Sequence, residues 1–410
     1  DFFRQNKGRN KEALLFLLLN DPALVPDNRT DTMPLTFDTG DVLGGMVCRS
    51  SWELGPESPA VMAEIKGGGY HFGNHQHADA GAFQIYFRGY QIGDLGYYRY
   101  YGTDYDFNFA KRSIAHSMML FFDPAERFYR NAANDGGIRL NQVYPQNPEN
   151  LQQYRQFNHG KVISCSFGPD PFRSEYNYFA VNLQGAYSDK VTDYVRRFVF
   201  LTTGDKDIPA LIFISDDASV SDPGFRKYWQ VNLVKQPETS GDTVISRNIQ
   251  EGRKGSIYID MLLPKPEDRT MEIKTGNWVF GKTHPNPRDE KLNGFQVMFS
   301  PKKAAVNDRF LACLQMVDGE AKPKVVETGA NADVIWSRCG NYTVVFPAGS
   351  RQLDRSFRFE QTRQGKVLFT GLEVGKWQLN GTTFEVEKRK NTLFATLPAG
   401  VYEVTAKGDK

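Results

Sequence analysis

The sequence predicts a mainly β protein: a large antiparallel β-sandwich followed by a smaller C-terminal β-sandwich. Three observations carry that expectation. From about Leu35 to the C-terminus, short apolar runs are separated by Gly, Pro, Asn and Asp turns. Aromatic residues make up 13% of the chain, with 30 Phe and 19 Tyr, which suits sheets and sugar-stacking surfaces alike. The run Leu379-Asn380-Gly381-Thr382 is a strong type I′ hairpin signal.

Taken in order, residues 6–20 read as a helix that is strongly apolar at its end and is stopped by Asp21-Pro22. Such a helix needs a surface to bury against, which predicts a neighbouring segment. Strands follow at 45–50, 63–67, 84–88, 161–167, 178–183, 193–202, 210–215, 226–233 and 255–263, several rich in β-branched and aromatic residues. Between them, residues 130–151 form a polar loop rich in Asn and Gln, long enough to be functional or mobile. After Phe310 a second β pattern runs through 311–317, 333–336, 343–346, 366–370, 376–379, 382–388, 391–396 and 400–406. The expected division is 1–34 for the helix and linker, 35–305 for the central sandwich and 306–410 for the C-terminal β domain.

At 410 residues, 40% hydrophobic and 24% charged, the chain can bury a large core, and no apolar run approaches the ~20 residues of a membrane helix. A net charge of +2 lacks the continuous basic excess of a nucleic-acid binder, although Lys111-Arg112 could bind a sulfate or carboxylate or simply be solvated. Cys48, Cys165, Cys313 and Cys339 are widely spaced, so no zinc ribbon or dithiol motif is present. Two disulfides or four buried thiols are both open. Without an initiator Met or a signal-like segment at Asp1, the chain is expected to be processed or part of something longer.

The chemistry concentrates between Gly69 and Gly96, which holds His71, His75 and His77, three of six histidines. Phe83, Ile85 and Phe87 alternate with Gln84, Tyr86 and Arg88, and Arg88-Gly89 turns into a return strand from Tyr90 to Leu95. The histidines therefore lie at the mouth of a β-hairpin. On an extended segment His75 and His77 would project to the same side, one free to hold a metal while the other faces substrate. Asp94 on the return strand and His116 further on supply a carboxylate and a third imidazole, so His77, Asp94 and His116 form a candidate metal site. The plainer alternative is separate hydrogen bonds in turns and core. Asp79 could fix a histidine tautomer. His71 is read as structural, His159 has a weak claim, and His284 is read as solvated.

The run Gly-Asn-His-Gln-His-Ala-Asp-Ala-Gly-Ala-Phe at 73–83, with Gly93-Asp94-Leu95-Gly96 and Lys111-Arg112-Ser113-Ile114-Ala115-His116-Ser117, resembles the central β-domain of the heparinase II/III family of polysaccharide lyases. Within the family the likeness is greatest to heparinase II, which acts on heparin and heparan sulfate. The specific motifs lie between Gly73 and Ser117, and the later strands are compatible but less distinctive.

The resemblance implies β-elimination at a uronic acid. His75 matches the catalytic histidine and Asn74 its carboxylate neighbour. His77, Asp94 and His116 match the ligands of a structural Zn2+. An active-site tyrosine falls between Tyr97 and Tyr105, with Tyr105 the first choice and Tyr98 the second. The family precedes these sheets with an α/α toroid that carries further catalytic groups; here residues 1–20 correspond to its last helix, and the rest is expected as a partner segment or a separate chain. An anionic glycosaminoglycan substrate, a homodimer and a bacterial periplasmic location follow from the same likeness, with no nucleic-acid or membrane partner. The alternatives are a lyase of another uronate polymer such as alginate or chondroitin, and a zinc-stabilised carbohydrate-binding β-sandwich without activity.

Overall fold

The computed structural model describes residues 21, 23, 30–55, 58–73, 75–96, 100–139, 144–247, 254–287 and 293–407. The helix expected at 6–20 lies outside them. The chain divides into two compact units, residues 1–33 and 34–410. In the first, the described residues include a single 3-10 turn, Thr30–Thr32.

Among its described residues the second unit holds four larger β-sheets in a stack, together with a two-stranded ribbon of Trp278–Val279 and Lys282–Thr283. In the first sheet the strands run in the order Thr36–Asp38, Gly45–Arg49, Met62–Lys66, Phe83–Tyr86, Tyr90–Ile92, Arg226–Leu233, Phe295–Pro301, Arg269–Thr275, with Met119–Phe122 paired beside Arg226–Leu233. The second sheet is built on four long strands, Gly255–Leu263, Asn307–Asp318, Ala210–Val220 and Val191–Thr202, flanked by Thr243–Arg247 on one side and Tyr176–Asn182 on the other. Neighbours in both sheets are antiparallel.

The second sheet is covered on both faces, and its sequence shows why. Along Val191–Thr202, Phe198 and Phe200 join the core shared with the first sheet, whereas Val199 and Leu201 join the core facing the C-terminal domain. Ala210–Val220 repeats the pattern, with Ile212 and Ile214 on one side and Leu211 and Phe213 on the other. A strand with two buried faces reads as a continuous apolar run rather than an alternating one.

Two smaller sheets complete the stack. One runs Val326–Ala330, Val334–Cys339, Tyr342–Pro347, Gly365–Thr370, Thr392–Leu397, and the other runs Phe357–Gln361, Gly400–Lys407, Gly375–Leu379, Thr382–Val386. Between them lies a core that includes Phe357, Phe369, Trp377 and Val404. Asn380 (φ 51) and Gly381 (φ 78) both take the left-handed conformation that a type I′ turn requires, and Leu379 pairs with Thr382. The mainly β, two-sandwich expectation holds. The division expected at 305/306, however, falls before Asn307–Asp318, a strand paired on both sides within the second sheet, and the C-terminal sheets start at Val326. All four cysteines are free and buried.

Candidate metal centre and catalytic turn

Three loops converge beside the first sheet. His77 precedes Phe83–Tyr86, Asp94 follows Tyr90–Ile92, and His116 precedes Met119–Phe122. One strand, Arg226–Leu233, pins two of these loops. The Gln230 side-chain amide donates to the carbonyls of Ile114 and His116 (both 2.8 Å), the Asn232 backbone N–H donates to Ser117 Oγ (2.9 Å), and the Asn232 backbone carbonyl accepts from the Gly93 N–H (3.2 Å). The third loop is clamped at Ala78, whose N–H donates to the Lys111 carbonyl (2.8 Å) and whose carbonyl accepts from Ser113 Oγ (2.7 Å). Each donor of the centre is thus carried by backbone that is already hydrogen-bonded, so little freedom remains to be lost when they meet.

His77 Nδ1 and His116 Nε2 lie 3.0 Å apart, and each is 3.2 Å from Asp94 Oδ2. Around a tetrahedral cation with bonds of about 2.0–2.1 Å, ligand atoms are separated by roughly 3.3–3.4 Å, so the triangle is within a few tenths of an ångström of that spacing. Second contacts orient the donors as metal ligands require. His116 Nδ1–H donates to the Arg112 carbonyl (2.8 Å), which turns the Nε2 lone pair into the triangle. Asp94 Oδ1 accepts from the Gly96 N–H (2.6 Å), leaving Oδ2 for the imidazoles. Gly96 is required there, because a Cβ would fall 1.9 Å from the Ala110 carbonyl oxygen. Burial alone would raise the Asp94 carboxyl, but His116 and His77 outweigh it and hold the group well below the usual carboxylate range. For His116 burial lowers the pKa and the Asp94 carboxylate more than restores it, leaving it raised. Two imidazoles and one carboxylate, hard enough for a divalent cation and suited to zinc, fit a metal.

His75 stands apart from this triangle. The expectation of an extended His75–His77 segment fails: His75 has φ 64, in a left-handed turn, and its side chain is exposed whereas His77 is half-buried. The turn is stapled by Gln76, whose backbone N–H donates to the Gly73 carbonyl (3.3 Å) and whose Oε1 accepts from the Phe72 N–H (2.7 Å). A non-glycine residue in this conformation costs of order 1–3 kcal/mol, a strain that clusters at functional sites.

Asn74 and Tyr98 lie outside the described residues. Tyr105 is 2% exposed, packed between Tyr100 and Phe109, with its hydroxyl 3.4 Å from the Leu95 carbonyl. It supports the Asp94 loop from the core side. Asp79 pairs with Lys66 Nζ (2.6 Å) rather than with a histidine. His71 stacks on buried His159 at 4.6 Å, and Gly73 N–H donates to His71 Nδ1 (3.2 Å). The reading of His284 as solvated is corrected: it is 2% exposed and its Nδ1 pairs with Asp104, because its backbone is tied back to Asn277, donating to the Asn277 carbonyl (3.1 Å) and accepting from its side-chain amide (3.2 Å). Arg112 is likewise no surface cation, being buried against Asp135 and the Phe128 ring, while Lys111 pairs with Asp106 (3.1 Å).

Gln230 and Asn232 were invisible to motif reading, as was Arg196. Gln230 and Asn232 are both fully buried, and a polar residue at a buried position beside Trp229, Val231 and Leu233 was the available signal. Arg196 is fully buried, forms a two-pronged pair with Asp216 (2.7 and 2.9 Å), and donates to the Gly81 carbonyl in the histidine loop.

The fold and centre define a class: a layered β module with a His/Asp/His metal-type site beside an exposed histidine. Residues 329–406 match the family model described as the heparinase II C-terminal domain. Among solved structures, the heparan sulfate lyase HepC from Pedobacter heparinus shares 14% identity with a TM-score of 0.51, covering 76% of this chain and 42% of its own. A heparinase III described as the BT4657 gene product shares 14% identity with a TM-score of 0.52, covering 79% of this chain and 43% of its own. At that identity these likenesses carry the fold alone. No curated protein matches the sequence. Residues 329–406 thus form a heparinase-type C-terminal domain, the II and III branches not being separated by these likenesses, and the chain spans less than half the length of the solved relatives.

Proposed function

We propose that the chain is the β portion of a polysaccharide lyase that cleaves heparin or heparan sulfate by β-elimination at a uronic acid. The observation that carries this reading is the placement of His75: exposed, on a hydrogen-bonded left-handed turn, two residues before a ligand of the metal-type centre. His75 would take the proton from C5, the C4–O4 bond would break as the C4–C5 double bond forms, and a second group would protonate the departing O4. Asn74, beside the uronate carboxylate, would stabilise the charge that develops there. With Tyr105 engaged in the core, the acid would come from Tyr98 or from a wall of the cleft outside this β module, the α/α toroid that the resemblance implies.

His77, Asp94 and His116 would hold Zn2+, whose chemistry here is structural: it fixes the loop that carries His75. A homodimer and a periplasmic setting belong to the same reading. The test is incubation of the intact protein with heparin, heparan sulfate, alginate or chondroitin while unsaturated uronate is followed by its ultraviolet absorbance. Absorbance growing with heparin or heparan sulfate supports the reading, and none with any of the four ends it. The buried position of Tyr105 favours one second reading, a zinc-stabilised carbohydrate-binding module; it would bind these polymers without forming product.

A further inference from the structure

The turn that presents His75 carries an aromatic wall from a distant part of the chain. Gly73 has φ 80, and a Cβ built on it would lie 2.0 Å from Tyr144 Cδ1 and 2.3 Å from Cε1. The Tyr144 ring therefore rests on the bare Cα of the residue two before His75, and only glycine at 73 permits that approach. Tyr144 as a residue is nonetheless 55% exposed, and Phe72, next to Gly73, is 38% exposed.

Tyr144 is held in place by its own backbone. The Gln146 side-chain amide donates to the Tyr144 carbonyl (3.0 Å), and the Gln146 N–H donates to Asn150 Oδ1 (3.1 Å). Asn150 in turn belongs to the short helix Pro148–Gln153, capped by Asn147 Oδ1 accepting from the Asn150 N–H (3.0 Å). A large ring fixed beside a strained, exposed histidine leaves one face to solvent, and the apolar C–H face of a pyranose is the complementary surface for it.

Resting on the lyase reading above, we propose that Tyr144 is a sugar-stacking residue of this site, seating the saccharide unit next to the uronate that faces His75. Stacking uses the ring and not the hydroxyl. That distinguishes it from an acid or base role.

The experiment measures affinity by calorimetry for a heparan sulfate oligosaccharide in the intact protein carrying His75→Ala, so that binding is read without turnover. Adding Tyr144→Ala is expected to weaken binding about 3- to 10-fold with an unchanged melting temperature, and adding Tyr144→Phe to change it less than about twofold. Equal affinity in the Tyr144→Ala protein overturns the proposal, as does a loss in Tyr144→Phe as large as in Tyr144→Ala. If the parent binds but wild type forms no product, the lyase reading fails while the stacking proposal is still decided by the affinities. If the parent binds neither heparan sulfate nor another uronate polymer, both fall.

Discussion

His77 Nδ1 lies 3.0 Å from His116 Nε2, two imidazole nitrogens brought together from loops 39 residues apart in sequence, with Asp94 Oδ2 closing the triangle. Nitrogens so close without a shared cation must hold a proton between them, whereas a divalent ion satisfies all three donors at once.

Metal removal should accordingly destabilise the protein. His77→Ala is expected to lose stoichiometric zinc in elemental analysis, with a stability loss of roughly 2–3 kcal/mol when the metal is present at about a hundredfold excess over its Kd. Chelation of the wild type should lower the melting temperature in the same sense. An unchanged melting curve after chelation would remove the metal from the account.

Arg196 links the core to the histidine loop through Asp216 and the Gly81 carbonyl. Tyr194 Oη and Trp229 Nε1 also donate to Asp216, both at 3.0 Å. Arg196→Met would leave the Asp216 carboxylate buried without its cation, at a cost of about 3–5 kcal/mol. Chemical denaturation measures this, and a loss below about 1 kcal/mol would show that the pair does not anchor the loop.

Acid should weaken the fold through His159. Burial lowers its pKa well below the ordinary value, followed by repulsion of the charged form from His71 when that ring is protonated and from the Arg139 guanidinium. The unfolded chain takes up this proton near pH 6.5 and the folded chain only well below that, so the unfolded state binds more protons in between. Stability is therefore full above about pH 6.5 and declines as the pH falls toward the folded value. Melting temperatures from pH 7.5 to 5 should fall less steeply in His159→Gln than in wild type; parallel curves would assign the acid sensitivity elsewhere.

The four cysteines are buried as free thiols, and burial raises Cys48 and Cys313 well above the ordinary thiol value. Native protein is expected to react negligibly with a thiol reagent, and all four should react after denaturation. Fewer than four reactive thiols in the denatured, unreduced protein would indicate a disulfide.

Much of the fold was legible because strand periodicity is local. The hairpin at Asn380-Gly381 follows from two residues that tolerate positive φ, and the strands of the second sheet from apolar runs. Phe357–Gln361 alternates buried and exposed residues, and its signal was short enough to pass over. The site was legible only in part. The spacing of His77, Asp94 and His116 is a sequence feature, and the structure brings all three together. The left-handed conformation of His75 is held by its own neighbours Phe72, Gly73 and Gln76, whereas the burial of Tyr105 and His284 and the clamps from Gln230 and Asn232 depend on segments distant in sequence. No periodicity encodes which carbonyl a buried amide will meet.

The most direct test of the account measures bound metal and elimination product on the same sample of His75→Ala. One zinc per chain, a wild-type melting temperature and product formation reduced by about 10²-fold or more is the predicted result. Wild-type product formation, or loss of the metal together with the activity, would contradict the division of labour between His75 and His77.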